Sequence, residues 1–164
     1  MYESLSDQIV RLAGEAALLY HRLVLVVGLP GSGKTPALQE AASRTGGRLI
    51  NVNLELSRQM LDLTESQRAL HAGQLLGEIV EDADTDVVLL DNMEMLFDAT
   101  LQLNPLQILQ ALSRNVTIVA AWSGTYTDGV LFYAEAWHPE YRRYPLAPQD
   151  AVIVPIADSL SHHV

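Results

Sequence analysis

Eight consecutive residues, Gly28-Leu29-Pro30-Gly31-Ser32-Gly33-Lys34-Thr35, carry the most specific chemistry in the chain. They fit the pattern G-x-x-x-x-G-K-[ST], in which glycines let backbone N–H groups turn inward around phosphate oxygens. The pattern assigns Lys34 to the β- and γ-phosphates of a nucleoside triphosphate and the Thr35 hydroxyl to Mg²⁺. Gly28, Pro30, Gly31, Ser32, Gly33, Lys34 and Thr35 are therefore the expected binding positions, with ATP and Mg²⁺ as cofactors. A second stretch, Asp86-Val87-Val88-Leu89-Leu90-Asp91, is an apolar block ending in an acid. That is how a buried parallel strand presents a metal-holding carboxylate at the edge of a sheet. Asp91 is expected to hold the Mg²⁺ there, mostly through water. Lys34 is also the only lysine in the chain; the other nine of its ten basic residues are arginines.

These residues need a strand before the loop and a helix after it. Leu23 to Val27 is a short apolar run that reads as a buried strand. A helix should follow the loop to about Arg44, closed by Gly46-Gly47. Pro36 falls in its first turn, where the N–H it lacks has no intrahelical partner anyway. Upstream, Ser4-x-x-Asp7 starts a helix over about 4–20, with Leu5, Ile9, Leu12, Ala13, Ala16 and Leu19 on one face.

Downstream, 48–53 reads as a strand, and the segment from Asn53 to Leu63 as an irregular or short helical connector. Thr64-x-x-Gln67 is a capping box for a helix whose inner face holds Ala69, Ala72, Leu76, Ile79 and Val80. Asn104-Pro105 opens another helix, 116–121 and 151–154 are further buried strands, and 130–134 is a possible extra one. This alternation predicts one α/β domain over 1–164: an N-terminal helix, a core over about 23–156 and a short tail, 157–164. The core should be a P-loop NTPase fold with a five-stranded, mostly parallel sheet and helices on both faces.

Composition narrows the function classes. With 49% hydrophobic and 18% charged residues the chain is globular, and no apolar run approaches the length of a membrane span. The N-terminus has no signal-peptide character and there is no cysteine, so a cytoplasmic setting is expected and thiolate metal sites are excluded. The net charge of -10 disfavours nucleic acid and anionic lipid, so no direct nucleic-acid binding and no membrane contact is expected. His21, His71, His138, His162 and His163 show no metal-ligand spacing, and the last two read as a polar tail. Trp122 and Trp137 read as core residues.

The phosphate loop, the block VVLLDNMEMLFD, and the later SRNVTIVAAWSG and HPEYRRY together resemble the BrxF family. These are the small P-loop proteins of type 3 BREX phage-defence systems, and the likeness covers roughly residues 20–145. It implies an antiviral role beside a larger ATPase, a methyltransferase and a phosphatase-like protein. More broadly the layout is similar to the core of AAA+ ATPases, where a Glu usually follows the metal-holding Asp. Here that position is Asn92, and Glu94, two residues on, is the candidate base. Arg114 matches an arginine finger offered to a neighbouring subunit, which implies a homo-oligomer. Ser123 or Thr125 matches a γ-phosphate sensor. No helical lid is expected after the last strand, and closure is expected from a partner or a second copy.

Three functions follow: an ATP-binding subunit with slow or partner-stimulated hydrolysis, a non-hydrolysing ATP-gated interaction module, or a small-molecule kinase. Asn92 favours the second. Arg142-Arg143, placed like a basic lid, favours the third, while Asn51 and Asn53, standing where an acceptor site needs Asp or Arg, weaken it.

Overall fold

A computed structural model of the chain describes residues 3–134 and 137–156. The predicted tail, including His162 and His163, lies outside the described residues. The elements run α1 (Leu5–Ala16), β1 (Leu23–Gly28), α2 (Lys34–Thr45), β2 (Arg48–Asn51), α3 (Val52–Gln59) and α4 (Glu65–Asp82). Then come β3 (Val87–Asp91), α5 (Pro105–Leu112), β4 (Thr117–Thr127), β5 (Val130–Tyr133), β6 (Arg142–Pro145) and β7 (Val152–Pro155). Two 3₁₀ turns, Glu94–Phe97 and Ala99–Leu101, join β3 to α5.

Five strands form a parallel sheet in the order β2-β3-β4-β1-β7. Successive side chains of a strand face opposite ways, so a strand covered on both faces is apolar throughout. The fully buried β1 shows this. Leu23, Leu25 and Val27 pack under α3, α4 and α5 with Leu76, Leu90 and Leu109. Val24 and Val26 pack on the other face with Ile9, Ala13, Leu38 and Ala41 of α1 and α2. Each buried Val, Leu or Ile among them contributes on the order of 1.5–3 kcal/mol through burial, which fixes the strand whose end bears the phosphate loop. The α/β, mostly parallel layout with helices on both faces is the one expected, and it carries the strand–loop–helix arrangement of a P-loop NTPase core.

Local signals set the helix ends. Ser4 Oγ accepts from Asp7 N (3.1 Å) while the Asp7 carboxylate accepts from Ser4 N (3.3 Å). Thr64 and Gln67 exchange the same pair of bonds at 3.2 and 2.9 Å. Asn104 caps α5, with Pro105 in its first turn.

Several boundaries differ from expectation. The sheet has seven strands, not five: β4 runs on past its parallel partners to Thr127, and its extension pairs antiparallel with β5, which pairs with β6. The turn behind this hairpin is Asp128-Gly129, both at positive φ (53° and 78°), a conformation these residue types tolerate. β2 stops at Asn51, because the Asn51 side chain accepts from Leu54 N and starts α3. α1 ends at Ala16, and Leu19, predicted on its buried face, is 49% exposed.

Candidate nucleotide-binding site

The phosphate loop sits at the carboxyl edge of the sheet, between the end of β1 and the start of α2. Two of its glycines are required by conformation. Gly31 and Gly33 have φ of 81° and 102°, where an L side chain is strained, and nothing lies within 4 Å of a Cβ built on either. Gly28 is required by contact, since a Cβ there would stand 2.5 Å from Ser32 Oγ and 2.8 Å from Ile156 Cδ1. Gly33 is the N-cap residue of α2 and supplies no capping side chain, so the first N–H groups of this helix face the cleft without one. The end of a helix in that state attracts anions.

Lys34 folds back over the loop and donates to the carbonyls of Gly28 (2.7 Å) and Leu29 (2.9 Å). It is 7% exposed, and burial lowers its pKa below the usual lysine value, opposed by the nearby Glu94 and Asp91 carboxylates. Across the cleft, Asp91 is the last residue of β3 and 6% exposed. Its Oδ1 accepts from Asn92 N (2.9 Å) and its Oδ2 accepts from Thr35 Oγ1 (2.6 Å). Residues 56 positions apart in sequence thus meet as the two expected Mg²⁺ ligands.

The residues present fit a Mg²⁺-bound triphosphate. Oxygen donors of the kind Mg²⁺ takes, Thr35 and Asp91, are already in contact. The helix end is uncapped, Gly31 and Gly33 leave open space, and the buried Ser32 Oγ has no hydrogen-bond partner. Gly28 shapes the loop by close approach to Ser32, and Pro30 lines the cleft at its tip.

Glu94 enters the same cleft from the 3₁₀ turn after β3, and both of its oxygens are engaged. Oε1 accepts from Asn53 Nδ2 (3.1 Å) and Oε2 from Ser123 Oγ (3.1 Å). Asn53 also accepts from Met95 N (2.9 Å) and donates its own N–H to Asn92 O (2.8 Å), so the start of α3 holds the segment after Asp91 in place. Asn92 makes that reversal possible by taking a left-handed φ of 51°, which Asn tolerates better than Glu. Of the two proposed sensors, Ser123 lines the cleft, whereas Thr125 is exposed on the extension of β4.

Arg114 does not join the site of its own chain. It follows α5 at the amino edge of the sheet, where Arg22 N donates to Ser113 O, and its guanidinium lies 4.5 Å from the Tyr20 ring. That edge is the length of β1 away from Gly28, roughly 17 Å at 3.3–3.4 Å per residue.

The cleft encloses about 660 Å³, which suits a ligand the size of a nucleotide. Its far wall comes from the hairpin: Tyr133 and Ala134 at the end of β5, then Trp137 and His138. Trp122 is the core residue it was expected to be, fully buried with its Nε1 donating to Phe132 O (3.0 Å). Trp137 is not: it is 77% exposed at the rim of the cleft. No sequence signal marked the hairpin as a wall, because only the antiparallel continuation of β4 brings it over the site. Among the described residues there is no cluster of three or more metal-ligating side chains of the His, Cys, Asp and Glu type, and no helix long and apolar enough to cross a membrane.

No family model matches this chain, and no curated protein does. Among solved structures, C. elegans PCH-2 is similar over 95% of the chain, with a TM-score of 0.47 and 18% identity. AMPPCP-bound DnaA from Aquifex aeolicus is similar over 93%, with the same TM-score and identity. The chain spans 44% and 45% of those two chains, less than half of each.

Proposed function

We propose that this protein binds Mg²⁺-ATP at the phosphate loop and hydrolyses it slowly or on stimulation by a partner. The observation that carries the reading is the convergence of Lys34, Thr35 and Asp91 at an uncapped helix end. Lys34 and the loop N–H groups bind the phosphates, and Thr35 and Asp91 hold the metal, which when bound neutralises charge on the terminal phosphates. Glu94 is the candidate base. Its two hydrogen bonds, from Asn53 and Ser123, take one acceptor site on each oxygen and tie the carboxylate to the protein, which supports low basal turnover. The same observation favours a second reading, a nucleotide-gated interaction module that does not turn over.

The resemblance to BrxF supports placing this activity within a BREX defence complex, beside a larger ATPase, a methyltransferase and a phosphatase-like protein. Closure or an arginine finger would then come from one of these or from a second copy of the chain through Arg114, in the cytoplasm. Of the Arg142-Arg143 pair behind the small-molecule kinase reading, Arg142 donates to the carbonyls of Leu103 (2.9 Å) and Phe97 (3.2 Å) and so braces the hairpin, while Arg143 is exposed, 5.9 Å from the Phe132 ring.

The test is thermal unfolding with Mg²⁺-ATP. At a hundred times its dissociation constant a ligand adds about 2.7 kcal/mol, a rise of several degrees for a domain of this size. Lys34→Ala should fold and lose most of that rise. No rise in the wild-type chain at millimolar Mg²⁺-ATP overturns the reading.

A further inference from the structure

We propose that His138, on the hairpin wall, reads the terminal phosphate and makes the site prefer a nucleoside triphosphate to a diphosphate. The inference rests on the nucleotide-binding reading above and deepens it. Its first support is position. Thr35 and Asp91 would hold the metal, which would neutralise charge on the terminal phosphates, so a bound triphosphate would direct its terminal phosphate toward Asp91 and its neighbours. Those residues are Glu94 and Ser123, and Ala134, Trp137 and His138 line the same cleft; the carboxylates of Glu94 and of Glu140, two residues after His138, both act on Tyr133 between them. Ala134 is tied to this end directly, its N–H donating to Ser123 O (3.0 Å).

The second support is charge. Among the described residues lining the cleft, Lys34 is the one lysine or arginine, and it faces the carboxylates of Asp91 and Glu94. A Mg²⁺-triphosphate brings further negative charge to that end. Additional donors are needed there, and the Glu94 carboxylate supplies none.

The third support is the tautomer. His138 Nδ1 is positioned to accept from Glu140 N (3.0 Å), and His138 O accepts from Tyr141 N (3.1 Å). An Nδ1 that accepts leaves the neutral ring its proton on Nε2, so the outer nitrogen is a donor. No hydrogen bond within the described residues uses that nitrogen. The turn over 137–141 thus holds an imidazole in a donating state in the lining of the cleft that also holds Lys34, Asp91 and Glu94.

The test is calorimetric titration of the full chain, with Mg²⁺, against a non-hydrolysable ATP analogue and against ADP. His138→Ala should weaken the analogue about tenfold or more, the scale of a hydrogen bond to a charged group, while ADP changes less than about twofold. His138→Gln, which keeps a donor, should recover part of the loss. Trp137 is exposed and Trp122 buried, so the analogue but not ADP should shift Trp137 emission, and Trp137→Phe should remove that shift. Equal weakening of both ligands in His138→Ala, or of neither, while the wild type binds and Lys34→Ala does not, overturns the role of His138 and leaves the phosphate-loop reading standing. Failure of the wild type to bind either ligand overturns both.

Discussion

The two walls of the cleft are built in opposite ways. The phosphate-loop wall is a contiguous run from Gly28 to Thr35 whose contacts are local: Lys34 bonds carbonyls five and six residues back, and the positive φ of Gly31 and Gly33 follows from the residue type. The facing wall is assembled from four separate parts of the chain: Asn53, the segment from Asp91 to Glu94, Ser123, and Tyr133, Ala134, Trp137 and His138 of the hairpin. It rests on an aromatic cluster beneath. The Phe97 and Tyr133 rings stack with centroids 3.5 Å apart, and Trp122 meets both edge-on at 5.2 and 6.1 Å. Burial there pushes the Tyr133 phenol pKa up. The loop wall binds with backbone and so depends on conformation. The facing wall works with side chains and so depends on tertiary packing. Substitutions should therefore separate them, one kind removing binding without loss of fold and the other lowering stability first.

The largest effect falls on the packed wall. Trp122→Ala removes a fully buried indole and its bond to Phe132 O, and should cost about 3–5 kcal/mol in denaturant unfolding, the range for aromatic truncation in a core. A cost below about 1 kcal/mol would mean that the hairpin does not depend on this cluster, and the contrast between the walls would fail.

Glu94→Gln sharpens the contrast with little change in shape, since an amide can replace the carboxylate in the bonds with Asn53 and Ser123. On the proposed hydrolytic reading, nucleotide affinity holds and turnover drops roughly 10²-fold or more, the scale of a general base. Single-turnover assays with candidate partners provide the measurement. Equal rates in the two proteins remove Glu94 from the chemistry, and no turnover in either favours the gated module.

The smallest effect concerns the charge in the loop wall. Burial lowers the Lys34 pKa in the folded chain below the ordinary value of 10.5. Between the folded and unfolded values the unfolded state binds more protons, so this lysine's contribution to stability rises with pH and levels off above 10.5. The raised pKa values of Tyr133 and Tyr144 act in the opposite sense at the alkaline end. Comparison with Lys34→Met isolates the lysine: as pH rises toward 10.5 the wild type should gain stability relative to the variant. A flat difference would mean that the ammonium is solvated and the loop more open than its two carbonyl contacts show.

Much of this protein was determined by sequence alone, wherever the deciding interactions are close along the chain. The phosphate loop, the caps at Ser4, Thr64 and Asn104, and the apolar strands ending at Gly28 and Asp91 are all settled within a few residues. Where a nearby side chain competed, local reading went astray: Asn51 ended β2 early by capping α3. Only the tertiary structure decided what Glu94, Arg114 and Trp137 do within the chain. Glu94 is fixed by partners 41 and 29 residues away, and Arg114 is carried to the far edge by the pairing of β4 with β1. Trp137 is turned to solvent because β4 outruns its parallel neighbours and the freed edge folds into a hairpin. Apolar patterning says which residues must be buried. It does not say which strand will run past the others, and that register placed the second wall.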